Sequence, residues 1–193
     1  MDLTQGNVDH KIGRAKKMML WFGIISMVMM FAGLTSAYVV SKNRPDWIAD
    51  FQLPVSLYWS TLVIMISSIT FIFAKKSIGE GKRSAGTMFL MATLVLAIAF
   101  VFLQFKSFSE IVAAGYYFTG SESTVTTSFI YVVVLAHLAH LAAGIIVLLV
   151  VIYNHFKQRY YPGQMLGIQL GATFWHFLDI LWVYLFVFLY FFR

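Results

Sequence analysis

The sequence of 193 residues contains no cysteine, only three prolines and few charged residues. Without cysteine the chain has no disulfide and no thiolate ligand for an iron–sulfur cluster, copper or zinc. Charged residues make up 11 % of the chain, against about a quarter in soluble domains. Hydrophobic residues make up 60 %. This composition excludes a water-soluble enzyme and indicates an integral membrane protein.

Five apolar stretches are long enough to cross a membrane, because a spanning helix needs about 20 largely apolar residues. They are about 18–41, 54–74, 88–105, 125–152 and 172–192. Asp179 is the single formally charged residue within them. Runs of this length are too long for the strands of a membrane barrel. The sequence therefore predicts an all-α polytopic membrane bundle of five transmembrane helices over 18–193, preceded by a cytoplasmic N-terminal segment over 1–17.

Lysine and arginine predict the orientation of the bundle, since they are retained on the cytoplasmic side. Most of the 14 basic residues fall in the N-terminal segment and in the second and fourth connections: Lys11, Arg14, Lys16, Lys17, Lys75, Lys76, Lys82, Arg83, Lys157 and Arg159. This places the N-terminus inside and the C-terminus outside. The net charge of +6 is then a topology signal, with an attraction to anionic lipid headgroups, and no nucleic-acid partner is expected.

The connections and glycines give two further expectations. The connection over 106–124 is the longest predicted outward segment and is rich in serine and threonine, so we expect it to be a place for partner contacts. Four glycines within or next to the spans are expected to be points of close helix contact: Gly23, Gly33, Gly144 and Gly171.

Ionisable side chains within apolar spans are costly and normally face protein or a cavity. His137 and His140 lie three residues apart on the fourth span, and His176 and Asp179 repeat this spacing on the fifth. Trp175 and Trp182 lie on the same stripe of the fifth span. The connection of 19 residues over 153–171 predicts that the two helices are antiparallel neighbours.

These six residues, His137, His140, Trp175, His176, Asp179 and Trp182, are therefore predicted to make polar contacts between helices or with lipid. In this interpretation neutral imidazoles hydrogen-bond Asp179 or a lipid headgroup, which lowers the cost of burial. Two alternatives stay open. Imidazole and carboxylate ligands suit iron, zinc or copper, and a haem is possible between His176 and either histidine of the fourth span.

Two segments resemble subunit III of haem-copper terminal oxidases in its short, five-span form. The segment from Ser128 to Gly144 carries the H-x-x-H-x-x-x-G pattern of the fourth helix. The segment W-H-F-L-D-I-L-W, from Trp175 to Trp182, is similar to the family's C-terminal signature W-H-F-x-D-x-x-W. Further similarity lies in L-P-V-S-L-Y-W-S-T and in M-F-A-G around Gly33, and the resemblance covers roughly 17–193.

The resemblance implies a non-catalytic subunit of a proton-pumping cytochrome c oxidase in the bacterial cytoplasmic (inner) membrane, active in aerobic respiration. Such a subunit stabilises the core subunit, its proton uptake and its lipid environment. The chain itself is expected to hold no cofactor, metal or catalytic residue, with haem and copper in partner subunits. The implied partners are oxidase subunit I, subunit II, membrane phospholipids and a larger respiratory supercomplex.

Two departures from the family pattern bear on this interpretation. Many members carry a glutamate, discussed for proton uptake, after the serine of the first helix, whereas Met27 follows Ser26 here. The family's Q-x-x-E-Y is also reduced, because Gln104 is followed by Ser107 and Phe108. Two other functions remain open: a similar component of a quinol oxidase or nitric oxide reductase, and a membrane redox protein that binds haem or metal.

Overall fold

The computed structural model describes residues 8–44, 47, 53–120, 124–161 and 164–192. They form five helices: α1 (Val8–Ser41), α2 (Val55–Gly79), α3 (Arg83–Ala113), α4 (Val125–Phe156) and α5 (Leu166–Phe192). All five are long and apolar enough to cross a membrane. The predicted all-α architecture of five transmembrane helices is confirmed.

The helices are longer than the predicted spans. With 34 residues, α1 measures about 51 Å at 1.5 Å per residue, which exceeds the bilayer core of about 30 Å. Helix α3 continues to Ala113, so the prediction of a loop is wrong for residues 106–113. Apolar length sets where a chain can cross the membrane, but a helix ends only where a turn or cap stops it.

Local signals mark several of these ends. Helix α2 begins directly after Pro54, whose missing N–H has no helical partner to lose. Between α2 and α3 the chain turns at Gly81, where φ is +77°, a conformation that favours glycine. Helix α4 begins with a capping box, in which the Thr124 hydroxyl accepts a hydrogen bond from the Thr127 backbone N–H.

Helix α5 lies at the centre of the bundle and packs against α1, α2 and α4. As predicted, α4 and α5 are antiparallel neighbours, with Gly144 opposite Leu178 and Val151 opposite Gly171. Helices α2 and α3 form the most extensive helix pair. Their buried faces include small residues that allow a close approach: Ser60, Ser67 and Ala74 on α2, and Gly86, Thr93 and Ala97 on α3.

Helix α1 contributes little to the core. It buries a narrow stripe of Ile24, Phe31, Thr35 and Tyr38, while large apolar side chains on its other faces are exposed within the chain: Met18, Met19, Trp21, Phe22, Ile25, Val28 and Met29. A helix that is apolar on all sides and buries one stripe leaves the rest of its surface for lipid or for a partner subunit.

The four glycines divide into two pairs. A Cβ atom at Gly144 would lie 2.6 Å from Leu178 Cδ1, and one at Gly171 would lie 2.8 Å from Val151 Cγ2. Close contact at these two positions is confirmed. A Cβ atom at Gly23 or Gly33 would meet no atom within 4 Å, so the predicted contact is wrong there for contacts within this chain. Both glycines lie on the exposed surface of α1.

Candidate functional site

Two indole groups of α5 hydrogen-bond hydroxyl groups of α2. The Trp175 Nε1–H donates to Ser67 Oγ at 2.9 Å, and the Trp182 Nε1–H donates to Thr61 Oγ1 at 3.1 Å. Both tryptophans are almost completely buried. The two bonds lie about two helical turns apart on each helix, which fixes both the rotation and the register of α5 against α2.

A third polar contact joins the same two helices. His176 Nδ1 lies 2.6 Å from the Ser68 hydroxyl, and both side chains are half-buried. Because Ser67 and Ser68 are adjacent, the neighbouring residues Trp175 and His176 meet neighbouring hydroxyl groups. The α2–α5 contact is therefore a row of three buried or half-buried bonds, each of which spares a polar group from facing hydrocarbon.

Asp179 lies one turn further along α5 and is 3 % exposed. Among the residues that the structure describes, neither carboxyl oxygen has a hydrogen-bond partner. The Ser68 hydroxyl is close enough to interact with this carboxyl group but does not meet hydrogen-bond geometry with it. The expected hydrogen bonds from histidine to Asp179 are not found in the described ranges, where His176 instead meets the Ser68 hydroxyl of α2.

His137 is fully buried at 0 % exposure between aromatic rings. Its ring centroid lies 4.9 Å from that of Trp182 on α5 and 6.2 Å from that of Phe100 on α3. Neither ring nitrogen has a hydrogen-bond partner in the described part of the chain. His137 therefore contacts neighbouring helices through ring packing.

His140 points to a different neighbour. Its Nδ1–H donates to the backbone carbonyl of Ala136 at 2.7 Å, within the same helix. Its ring makes an edge contact with Phe31 of α1, at 5.7 Å between centroids. Positions three apart on a helix differ by about 60° in direction, which is enough for His137 and His140 to face α5 and α1 respectively.

The structure does not bring the predicted ionisable residues together as a ligand set. Within the described ranges, no group of three or more histidine, aspartate or glutamate side chains is arranged to hold a metal ion. His140 bonds its own helix and His176 bonds α2. His176 hydrogen-bonds between helices, and His137 and His140 pack against rings of neighbouring helices.

Sequence reasoning missed most of the partners in this network. The hydroxyl groups of α2 were not among the predicted contact residues, yet they accept bonds from α5 and meet α3. The Gln104 amide donates to Ser60 Oγ at 2.9 Å, and Thr70 Oγ1 lies 2.8 Å from Thr93 Oγ1. Ser56 donates to Glu110, on the part of α3 beyond the predicted span. Five serines and threonines within 13 residues of an apolar helix were the available signal: Ser56, Ser60, Thr61, Ser67 and Ser68.

His155 is a further buried histidine outside the predicted spans. It is 3 % exposed near the end of α4, where its Nε2 lies 2.9 Å from the Thr87 hydroxyl of α3. Its backbone carbonyl accepts a bond from Arg83 at 2.9 Å. These contacts join α3 and α4 at the end of the bundle opposite to Glu110.

The fold and these contacts define an integral membrane protein whose five helices are joined by buried hydroxyl, indole, amide and imidazole groups. The family profile of cytochrome c oxidase subunit III matches residues 3–193. The chain belongs to this family, subunit III of the haem-copper oxidases, and thus to a class of subunits of multi-subunit oxidase complexes.

Relatives from two kinds of oxidase are similar to the chain. Cytochrome bo(3) ubiquinol oxidase subunit 3 of Pseudomonas putida is 26 % identical over 185 residues, covering 94 % of this chain and 87 % of the relative. Cytochrome c oxidase subunit 3 of Bacillus sp. (strain PS3) is 25 % identical over 182 residues, covering 92 % and 86 %. The Loxodonta africana cytochrome c oxidase subunit 3 is 28 % identical over 180 residues, covering 86 % and 66 %.

Proposed function

We propose that this chain is the non-catalytic subunit III of a proton-pumping cytochrome c oxidase in the bacterial cytoplasmic membrane, with its N-terminus inside. It binds oxidase subunit I, with subunit II in the same complex, and stabilises the core subunit, its proton uptake and its lipid environment. Haem and copper belong to the partner subunits, which carry out oxygen reduction.

The observation that supports this role most strongly is the use of the interior polar groups. In the described part of the chain, the indole, imidazole and hydroxyl groups of α2 and α5 bond one another. Side chains that hydrogen-bond between helices in this way hold α2 and α5 in a defined arrangement. Asp179 is the one acidic residue in the predicted spans, and a relay across about 30 Å requires a series of such groups.

The surface of α1 supports a docking role. Its stripe of buried residues faces α4 and α5, and most of its apolar side chains remain exposed within this chain. Met27 of α1 replaces the glutamate found in many family members, so any support of proton uptake by this chain acts through the structure of the core subunit and not through a carboxylate at that position.

A second candidate is the same role in a ubiquinol oxidase. Subunits of cytochrome bo(3) ubiquinol oxidases match the chain at 26 % and 28 % identity, comparable to the identity of the cytochrome c oxidase subunits. The helix contacts described above suit a scaffold subunit of either oxidase. The two candidates therefore differ in the electron donor of the complex, which is cytochrome c in one and ubiquinol in the other.

The test is purification of the intact complex through a tag on this chain, with untagged membranes as the control. We expect a haem-bearing partner to co-purify and the complex to oxidise reduced cytochrome c. Oxidation of ubiquinol in place of cytochrome c would select the second candidate. A chain that purifies alone and colourless, while the haem-bearing proteins remain in the unbound fraction, would contradict both.

A further inference from the structure

Helices α2, α3, α4 and α5 form a closed ring around a common centre. In this ring α2 packs against α3, α3 against α4, α4 against α5 and α5 against α2. Among the described residues, the two diagonal pairs, α2 with α4 and α3 with α5, make no close backbone contact. The centre of the ring is therefore filled by side chains, and such bundle interiors are where helical proteins place polar groups and ligands.

Polar side chains from all four helices lie at one level of this centre. The Gln104 amide of α3 donates to Ser60 Oγ of α2 at 2.9 Å. The next residue of α2, Thr61, accepts a bond from the Trp182 indole of α5 at 3.1 Å. The Trp182 ring packs against His137 of α4, with 4.9 Å between the ring centroids. All five side chains are buried.

Phe100 of α3 closes this circuit of contacts. Its ring centroid lies 6.2 Å from that of His137 and 5.2 Å from that of Trp182. Gln104 follows Phe100 by four residues and so lies one turn further along the same face of α3. Gln104 and His137 therefore border the same enclosed space.

The directions of these two side chains bring them towards each other. Contacts at both ends of the pair show that α3 and α4 are antiparallel. Side chains on a helix lean towards its N-terminus. The Gln104 amide thus leans back towards the level of Phe100. His137 contacts Phe100 from the antiparallel helix, so its ring leans towards Gln104.

Both side chains have polar atoms without a partner. Gln104 Oε1 and both ring nitrogens of His137 are buried and accept or donate no hydrogen bond within the described part of the chain. The amide oxygen is an acceptor, whereas a neutral imidazole has one N–H donor and one acceptor nitrogen. Polar atoms that stay unpaired in an apolar interior are costly, so they indicate a further hydrogen-bonding molecule.

We propose that a buried water molecule occupies the centre of the ring and bridges Gln104 Oε1 and a ring nitrogen of His137. Water both donates and accepts, so one molecule can donate to the amide oxygen and bond to either kind of ring nitrogen. Buried waters typically bond to polar groups that otherwise lack partners. A metal ion does not match the site, because no group of three histidine, aspartate or glutamate side chains is arranged to hold one in the described ranges.

The bridge links α3 to α4 across the centre of the ring, and it gives His137 a polar contact between helices in addition to its ring packing. It is separate from the bonds between α2 and α5. The inference goes beyond the proposed scaffold role and does not depend on which oxidase contains the chain.

Solid-state NMR of the full-length chain in liposomes tests this proposal. The chain carries 15N-labelled histidine and 13C-labelled glutamine, and magnetisation is transferred from water protons to the imidazole nitrogens. The His137 signals are identified by their loss in His137→Phe. We expect transfer from water to His137 although its side chain is fully buried. Transfer to the half-buried His176 without transfer to His137 would overturn the proposal.

A pair of variants locates the water. Gln104→Leu replaces the amide with an apolar side chain of similar size, and we expect most of the transfer from water to His137 to be lost while far-UV circular dichroism is unchanged. His140→Phe is the matched control, because His140 lies one turn further along α4 and bonds the Ala136 carbonyl of its own helix. It should leave the His137 signal unchanged. Equal transfer to His137 in Gln104→Leu and in the unaltered chain would overturn the bridge.

A distance measurement on the unaltered chain requires no variant to fold. A direct hydrogen bond would hold Gln104 Oε1 and a His137 nitrogen about 2.9 Å apart, whereas a single bridging water separates them by about 4.5–5 Å. The dipolar coupling between the labelled Gln104 Cδ and the His137 nitrogens distinguishes the two cases. We expect the weaker coupling of the bridged pair. The stronger coupling of a direct bond would overturn the water as the link.

Discussion

The hydrogen bond from Trp175 to Ser67 allows the contribution of the α2–α5 network to be measured. Both side chains are buried, at 1 % and 0 % exposure, and the donor and acceptor lie 2.9 Å apart. We consider Ser67→Ala, Trp175→Phe and the double variant. Ser67→Ala removes the acceptor with little change in volume, whereas Trp175→Phe removes the donor and part of the ring.

The expected magnitudes follow from burial. Ser67→Ala leaves an indole N–H without a partner in an apolar interior, which costs about 1–2 kcal/mol of unfolding free energy. Trp175→Phe also leaves a void next to Phe71 and Gly144, so we expect about 2–4 kcal/mol. Bonds between membrane helices contribute about 0.6 kcal/mol on average and up to about 1.7. Because Trp175 and Ser67 are both buried, we expect a coupling free energy between them of about 1 kcal/mol or more.

The assay is reversible unfolding in mixed micelles of dodecylmaltoside and dodecyl sulfate, followed by far-UV circular dichroism. The four proteins of the cycle give the coupling free energy directly. Ser41→Ala is the matched control, since the Ser41 hydroxyl bonds the Ala37 carbonyl of its own helix at 2.8 Å on the surface. We expect it to change the unfolding free energy by less than about 0.5 kcal/mol. A coupling free energy below about 0.3 kcal/mol would refute the assignment of this bond as a link between helices.

Three further predictions concern packing, the buried carboxyl group and the exposed ion pair. Gly144→Ala should lower the unfolding free energy by about 1–3 kcal/mol, because the new Cβ would lie 2.6 Å from Leu178. Gly33→Ala is the control and should not lower it, because a Cβ there meets no atom within 4 Å. Equal effects of the two substitutions in the same unfolding assay would contradict this packing. Asp179→Asn should change the unfolding free energy of the isolated chain by less than about 1 kcal/mol, because no hydrogen bond to the described residues is lost; a larger loss would reveal a bond to Asp179. Lys82 donates a hydrogen bond of 2.8 Å to Glu80, and this bond and the charge of Lys82 lower the pKa of Glu80 in the folded protein. The ion pair therefore stabilises the folded state at pH values above the ordinary pKa of glutamate. This stabilisation is lost as the pH falls through the lowered pKa. Lys82→Gln should return the pKa of Glu80 towards its ordinary value in an NMR titration, and an unchanged pKa would exclude Lys82 as the cause.

Several features of the fold were predictable from sequence because they depend on composition along the chain. The five apolar runs predicted five spanning helices, and Pro54 marked the start of α2. The connection over 153–171 predicted that α4 and α5 are antiparallel neighbours. Helix ends beyond the bilayer were less predictable, since α3 continues to Ala113 through residues that are too polar for a span.

The contacts of the polar residues were not predictable in the same way. The spacing placed His137 and His140 on one side of α4, and a difference of about 60° in direction was enough to send one ring to Trp182 and the other to Phe31. The contacts of the glycines were also not predictable from sequence. Gly144 and Gly23 both lie in apolar helices, but a Cβ atom would contact another residue only at Gly144.

The sequence by itself determined the membrane location, the number of helices and the family. Lipid offers no hydrogen bonds to the backbone, so a long apolar run in a chain of this composition forms a helix whatever its neighbours are. Only the tertiary structure decided that Ser67, Ser68 and Thr61 face α5, that Asp179 is buried without a hydrogen bond from the described residues, and that the cations of α1 line a groove. These outcomes depend on the rotation of each helix about its own axis, which is set by packing against all of its neighbours at once.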